Sequence, residues 1–140
     1  MSRSLLQRIQ ARIHRWWSGS RAVGRRGERV AARFLRRHGL VWLDSNVRLG
    51  ALEIDLIFLD DDCLVFVEVK STTDRSWSRD LDKIDRRKAR ALRAAASRYL
   101  SRRGWDSVRY RIDVVTVEFH ATGPFSGSTI RWFRSVLALN

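Results

Sequence analysis

The sequence predicts an α/β domain: a central mixed β-sheet flanked by helices. Three observations lead there. Apolar residues recur at helical spacing from Val23 to Arg37 and from Asp85 to Arg103. Short apolar runs, Leu56 to Leu59 and Cys63 to Val67, read instead as buried strands. The two kinds of segment interleave as α-α-β-β-β-α-β, closed by a strand or short helix from Ile130 to Leu139, an order that packs helices onto a sheet.

The first segment, Ser4 to Trp17, is an amphipathic basic helix with Leu5, Leu6, Ile9, Ile13, Trp16 and Trp17 as its apolar positions. It suits a nucleic-acid arm, a transit peptide, a membrane-surface contact through residues 3–17, or an added helix packed on the domain. Ser18-Gly19-Ser20 forms a hinge, dividing residues 1–20, an N-terminal extension, from a domain spanning 21–140. The helix from Val23 carries Val30, Ala31, Phe34 and Leu35 inward and stops at Gly39. Val41 to Leu43 is a short strand. A longer one runs from Asn46 to Leu59, with a bend or bulge at Gly50 and Ala51. Asp60-Asp61-Asp62 turns the chain into the strand from Cys63 to Lys70. Ser71 to Asp82 is a polar loop, and the helix that follows carries Ala89, Leu92, Ala95, Ala96, Tyr99 and Leu100 as its core stripe. Tyr110 to Phe119 is the next strand, and Ala121 to Ser128 is a loop.

Composition narrows the function. The chain has 140 residues, enough for one core, and a net charge of +13 that favours polyanionic partners, nucleic acid first. No run of about 18 apolar residues occurs, so no membrane-spanning helix is expected. With a single cysteine, Cys63, no internal disulfide forms, which fits a reducing, cytoplasmic setting. Cys63 lies in an apolar strand and reads as a small buried hydrophobe rather than a nucleophile. Acids gather between Asp44 and Asp62, while basic residues dominate elsewhere. Lys70, Lys83 and Lys88 are the only lysines among the arginines. Lysine is a compact charge with an adjustable pKa, so its use here marks positions where that property counts.

Glu68-Val69-Lys70 is the most informative stretch. It ends a strand that should be buried, and burying charge is costly unless the charge is paired or holds a metal. Side chains two apart on a strand share a face, so Glu68 and Lys70 point the same way. If the turn before Cys63 consists of two residues, Asp61 and Asp62, then Asp55 stands opposite Glu68. Two carboxylates from adjacent strands suit Mg²⁺ (or Mn²⁺), a hard cation that combines one or two carboxylates with water and phosphate. In this reading Asp55 and Glu68 are metal ligands, with a backbone oxygen from Val69. Lys70 orients water or stabilises charge developing on phosphate. Glu28 reaches the ion through water, and Lys88 clamps a phosphate. Taken alone, Glu28 is equally explained as an acid near a helix N-terminus, Lys88 as a solvated helix lysine, and Trp77 as local packing rather than a base-stacking residue.

Asp55 followed by Glu68-Val69-Lys70 resembles the PD-(D/E)XK nuclease signature, with Glu28 as its helical acid. The wider match is to the small bacterial YraN-like proteins. It rests on Gly24-Arg25-Arg26-Gly27-Glu28, Asn46-Val47-Arg48, Glu53-Ile54-Asp55-Leu56-Ile57, Leu64 to Lys70, Lys88 with the helix to Tyr99-Leu100, and Arg111-Ile112-Asp113-Val114-Val115. The resemblance implies a restriction-endonuclease-like core related to Holliday-junction resolvases. Two positions depart from the family pattern: Leu52 stands where Gly usually precedes Glu-Ile-Asp, and Thr72 where an Arg often follows the Lys. Arg75 and Arg79 lie close enough in sequence to replace that phosphate contact.

The leading expectation is a divalent-metal-dependent endonuclease acting on DNA, branched or single-stranded forms included. Lys70, Glu68, Asp55 and Glu28 would form its catalytic set, and Lys88, Arg48, Arg75, Arg79 and Trp77 its nucleic-acid contacts. A homodimer would suit symmetric cutting of two strands. The alternatives are a binding module that keeps the fold without turnover and an adaptor docking through the N-terminal helix.

Overall fold

The computed structural model describes residues 26–72, 86–120 and 127–136. The expected helix from Ser4 to Trp17, the hinge, and the loop bearing Arg75, Trp77 and Arg79 lie outside those residues. The elements are α1 (Arg26–Arg37), β1 (Val41–Leu49), β2 (Leu52–Asp60), β3 (Cys63–Thr72), α2 (Arg86–Ser101), β4 (Tyr110–Phe119) and β5 (Ser128–Phe133). The strands form one sheet in the order β1-β2-β3-β4-β5. Only β3 and β4 run parallel, and α2 makes the crossover between them. The other neighbours are antiparallel, so the sheet is mixed, as expected.

Among the described residues, one helix covers each face of the sheet. Leu92, Ala95, Ala96, Tyr99 and Leu100 of α2 pack on Ile57, Leu59, Leu64, Phe66 and Ile112. Ala31 and Leu35 of α1 pack on Leu56, Phe58, Val65, Val67, Val115 and Val117. Central strands buried on both sides explain why β2 and β3 read as continuous apolar runs rather than alternating ones.

Both helices end in the same device. The N–H of Leu40 bonds the Leu35 carbonyl, and that of Gly39 the Arg36 carbonyl; Trp105 and Gly104 repeat the pattern on Leu100 and Ser101. Gly39 and Gly104 adopt φ of 89° and 66°, the left-handed conformation this cap needs and glycine reaches without strain.

One expectation is corrected. The segment from Asn46 to Leu59 is not one strand with a bend: β1 runs through Val41–Leu49, and the chain reverses at Gly50-Ala51 so that Leu49 pairs with Leu52. Gly50 has φ 67°, the positive φ a tight hairpin turn demands at its first central residue. Of the two readings given for the closing segment, strand or short helix, the strand holds: β5 spans Ser128–Phe133 on the edge beside β4.

Away from Asp55 and Glu68 lies a second charge network, centred on the buried Asp113. Asp113 is 0% exposed. Its carboxylate accepts from Arg111 Nε (3.1 and 3.2 Å), Trp132 Nε1 (3.0 Å) and the Ser135 N–H (2.9 Å), while Arg111 Nη1 donates to Asp60 (2.9 Å). Burial opposes the Arg111 charge, but the two carboxylates outweigh it and raise the guanidinium pKa. Removing one partner of such a network strands the rest in a low dielectric, whereas an exposed pair is worth little. Asp113→Ala is therefore expected to lower stability by about 3 kcal/mol in urea denaturation. Breaking the exposed Arg109–Asp62 pair with Asp62→Ala should cost less than about 1 kcal/mol.

Candidate active site at a fork in the sheet

The pairing of β2 with β3 starts at Asp60–Cys63 and runs to Leu56–Val67. The two-residue turn is the one the expected facing of Asp55 and Glu68 requires, and the same register carried one step further sets those two residues opposite each other. Main-chain pairing stops there. β2 continues with β1 as far as Leu52, and β3 continues with β4 as far as Thr72, so the sheet forks at this point. The Asp55 side chain bridges the fork: its Oδ2 accepts the Val69 N–H at 2.8 Å, a donor that the separating strands would otherwise leave unused.

Side-chain alternation also breaks at Asp55. Leu56 and Phe58 belong to the α1-side core, whereas Ile54, which simple alternation would put with them, belongs to the α2-side core. Asn46, facing Asp55 across β1 by register, has φ 50°. Asparagine tolerates this left-handed geometry better than other residues with a side chain, and no strand pattern in the sequence announces it.

Glu28, Glu68 and Lys88 all act electrostatically on Asp55. They reach it from three elements. Glu28 sits in the first turn of α1 and is 5% exposed. Glu68 lies on β3, and its Oε1 is 3.1 Å from Lys88 Nζ on α2. The fork is thus where helices from both faces of the sheet meet. What holds the start of α1 there is the absence of a side chain at Gly27. A Cβ on Gly27 would lie 2.6 Å from the Ser71 Cβ and 2.7 Å from its Oγ, closer than atoms can approach.

Asp55 is 8% exposed. Burial first, then the neighbouring Glu68 and Glu28 carboxylates, push its pKa from 3.8 up to about 7, against the opposing pull of the Val69 N–H and Lys88. A buried carboxyl whose pKa is raised further by neighbouring carboxylates suits a bound cation.

The other expected site residues divide into two groups. Lys70 is half-buried two residues beyond Glu68 on β3 and forms no ion pair among the described residues. Arg48 is exposed on β1 opposite Glu53 and does not join the cluster. Cys63 is buried and free, as a core residue should be. Among the described residues no group of three His, Cys, Asp or Glu side chains is gathered tightly enough to hold an ion by itself. The donor set suits a cation that takes two carboxylates, Asp55 and Glu68, and completes its shell with water and substrate oxygens.

Two outcomes test this geometry. Gly27→Ala should displace the start of α1 and lower the melting temperature, and adding Ser71→Gly, which removes the colliding atoms, should restore most of the loss. The second concerns pH. A carboxyl whose pKa is raised on folding favours the folded state while protonated, so this contribution is full below about pH 4 and fades as pH rises through about 7. In metal-free buffer, Asp55→Asn should be more stable than wild type at pH 8 by about 1–3 kcal/mol, and the advantage should shrink or vanish by pH 5. Urea denaturation at both pH values measures it.

Residues 27–117 match the pattern of a family described as Uncharacterised protein family UPF0102. A UPF0102 protein of Pseudomonas aeruginosa (strain LESB58) is 42% identical over 100 residues, covering 71% of this chain and 80% of the relative. One from Symbiobacterium thermophilum is 43% identical over 99 residues, with 71% and 84% covered. One from Marinobacter nauticus is 38% identical over 120 residues, with 85% and 94% covered. The matched span runs from Gly27, beside the buried acid of α1, to Val117 in β4, and so takes in every described residue of the fork; the chain belongs to the UPF0102, or YraN-like, family.

Proposed function

We propose that the protein is a divalent-cation-dependent endonuclease that hydrolyses phosphodiester bonds of DNA. The observation that carries this reading is the fork itself. It brings Asp55, Glu68 and the buried Glu28 together beside a lysine on the same strand as Glu68. Carboxylates from β2 and β3 beside a buried acid of α1 suit a divalent cation that takes one or two carboxylates and completes its shell with water and phosphate.

Asp55 and Glu68 would hold Mg²⁺ or Mn²⁺, with the Val69 carbonyl as a further oxygen and Glu28 holding ion-bound water in place. When bound, such an ion polarises the phosphodiester and lowers the pKa of water. The chain's own residues supply the rest. The Val69 N–H fixes the Asp55 carboxylate, leaving its other oxygen for the cation. Lys70 sets a compact positive charge where negative charge builds on the phosphate oxygens during attack. The net charge of +13 draws the polyanion in. Arg48 and Lys88, together with Arg75, Trp77 and Arg79, supply strand contacts.

The reading is tested by incubating wild type with branched, single-stranded and duplex DNA in Mg²⁺ or Mn²⁺. Asp55→Ala and Lys70→Ala should each slow cutting by about 100-fold or more. Strand binding, measured by fluorescence anisotropy, should survive both changes. DNA of every form left intact by wild type in either metal overturns the reading and leaves a salt-sensitive binding module in its place.

A further inference from the structure

Lys88 has a second task in this cluster. Its ammonium lies 3.1 Å from Glu68 Oε1, and the two partners differ in exposure: the Glu68 side chain is 12% exposed and that of Lys88 47%. The carboxylate is held in the sheet, while the lysine has solvent on one side and a flexible stem. Asp55 is tied to the main chain of β3 through Val69 and cannot yield without opening the fork. Lys88 is therefore the member of the cluster able to leave at small cost.

Building on the cation-dependent reading above, we propose that Lys88 is an internal stand-in for the divalent cation: it occupies Glu68 Oε1 in the cation-free protein, is displaced when the ion takes that oxygen, and is thereby released to hold a phosphate of the incoming strand. One oxygen cannot serve an ammonium and a divalent ion at 3 Å or less without setting the two positive charges against each other. Binding of the ion and the Lys88–Glu68 pair are therefore mutually exclusive. A freed Lys88 lies on the same side of the fork as Glu68 and adds a second mobile cation to Lys70. Cation and DNA then strengthen each other's binding, and the coupling is reciprocal. It also keeps the crowded carboxylates partly neutralised when no ion is present.

The test is Mn²⁺ calorimetry on the full chain as wild type, Lys88→Gln and Lys88→Arg, with melting temperatures to confirm folding. Lys88→Gln should bind Mn²⁺ about two- to fivefold more tightly, because the competing charge is gone. Lys88→Arg keeps the charge and should stay near wild type. Anisotropy of a short labelled DNA strand, read in a Lys70→Ala background to stop cutting, gives the second arm. There Mn²⁺ should strengthen strand binding when Lys88 is present and do so much less after Lys88→Gln. If wild type binds Mn²⁺ but Lys88→Gln binds it equally or more weakly, the stand-in role is overturned while the cation site remains. If no variant binds Mn²⁺, both this inference and the cation-dependent reading fall.

Discussion

The hydrogen bond from the Val69 N–H to the Asp55 carboxylate is the contact on which the rest of the site depends. Two strands that separate within a sheet leave donors and acceptors with no partner, and a buried unpaired N–H is expensive. Asp55 fills that role with a side chain in place of a main-chain carbonyl. The fork can therefore open without the usual penalty, and it opens on a carboxylate rather than on apolar surface. A residue without an acceptor at position 55 would leave the Val69 donor unused and remove the negative charge at once, so structure and chemistry are fused in one side chain.

The remaining groups are brought in by packing that has little to do with charge. The apolar stripe of α1 seats it on one face of β3 and β4, and the missing Cβ of Gly27 lets its first turn touch Ser71, which delivers Glu28. The stripe of α2 seats it on the other face, which delivers Lys88. Burial first, and then the nearby Glu68 and Glu28 carboxylates, raise the pKa of Asp55. Elsewhere the Asp113–Arg111–Asp60 network ties β4 to β2 by setting one guanidinium between two carboxylates.

Much of this was legible in the sequence because it is local. The turn at Asp61-Asp62 fixes the register of β2 on β3, and the register alone sets Asp55 against Glu68. The helix stripes were legible for the same reason, and Gly39 announced the end of α1. The features that escaped depend on contacts distant in sequence or on weak turn signals. Gly50 is followed by Ala51 rather than by a second turn-forming residue, so the β1–β2 hairpin looked like a bend. The left-handed Asn46 and the broken alternation at Asp55 leave no trace in a pattern that assumes regular strands. Asp113 stood in an apolar strand as a visible anomaly, but its partner Trp132 is known only once β5 is set against β4. The Lys88–Glu68 pair joins α2 to β3 across twenty residues of sequence (88 against 68), and no spacing rule reveals it.

The account's central claim is that the Asp55 and Glu68 carboxylates at the fork form a cation site. Paramagnetic broadening of backbone amide signals during a Mn²⁺ titration tests it most directly, because the effect falls steeply with distance from the ion. The predicted result is that signals of Asp55, Glu68 and Val69 broaden first, with Glu28 following. The turn at Asp60-Asp61-Asp62, also acidic but with Asp61 and Asp62 exposed to water, serves as the internal comparison. Broadening that begins at that turn, or that spreads evenly over all exposed acids, would contradict the claim.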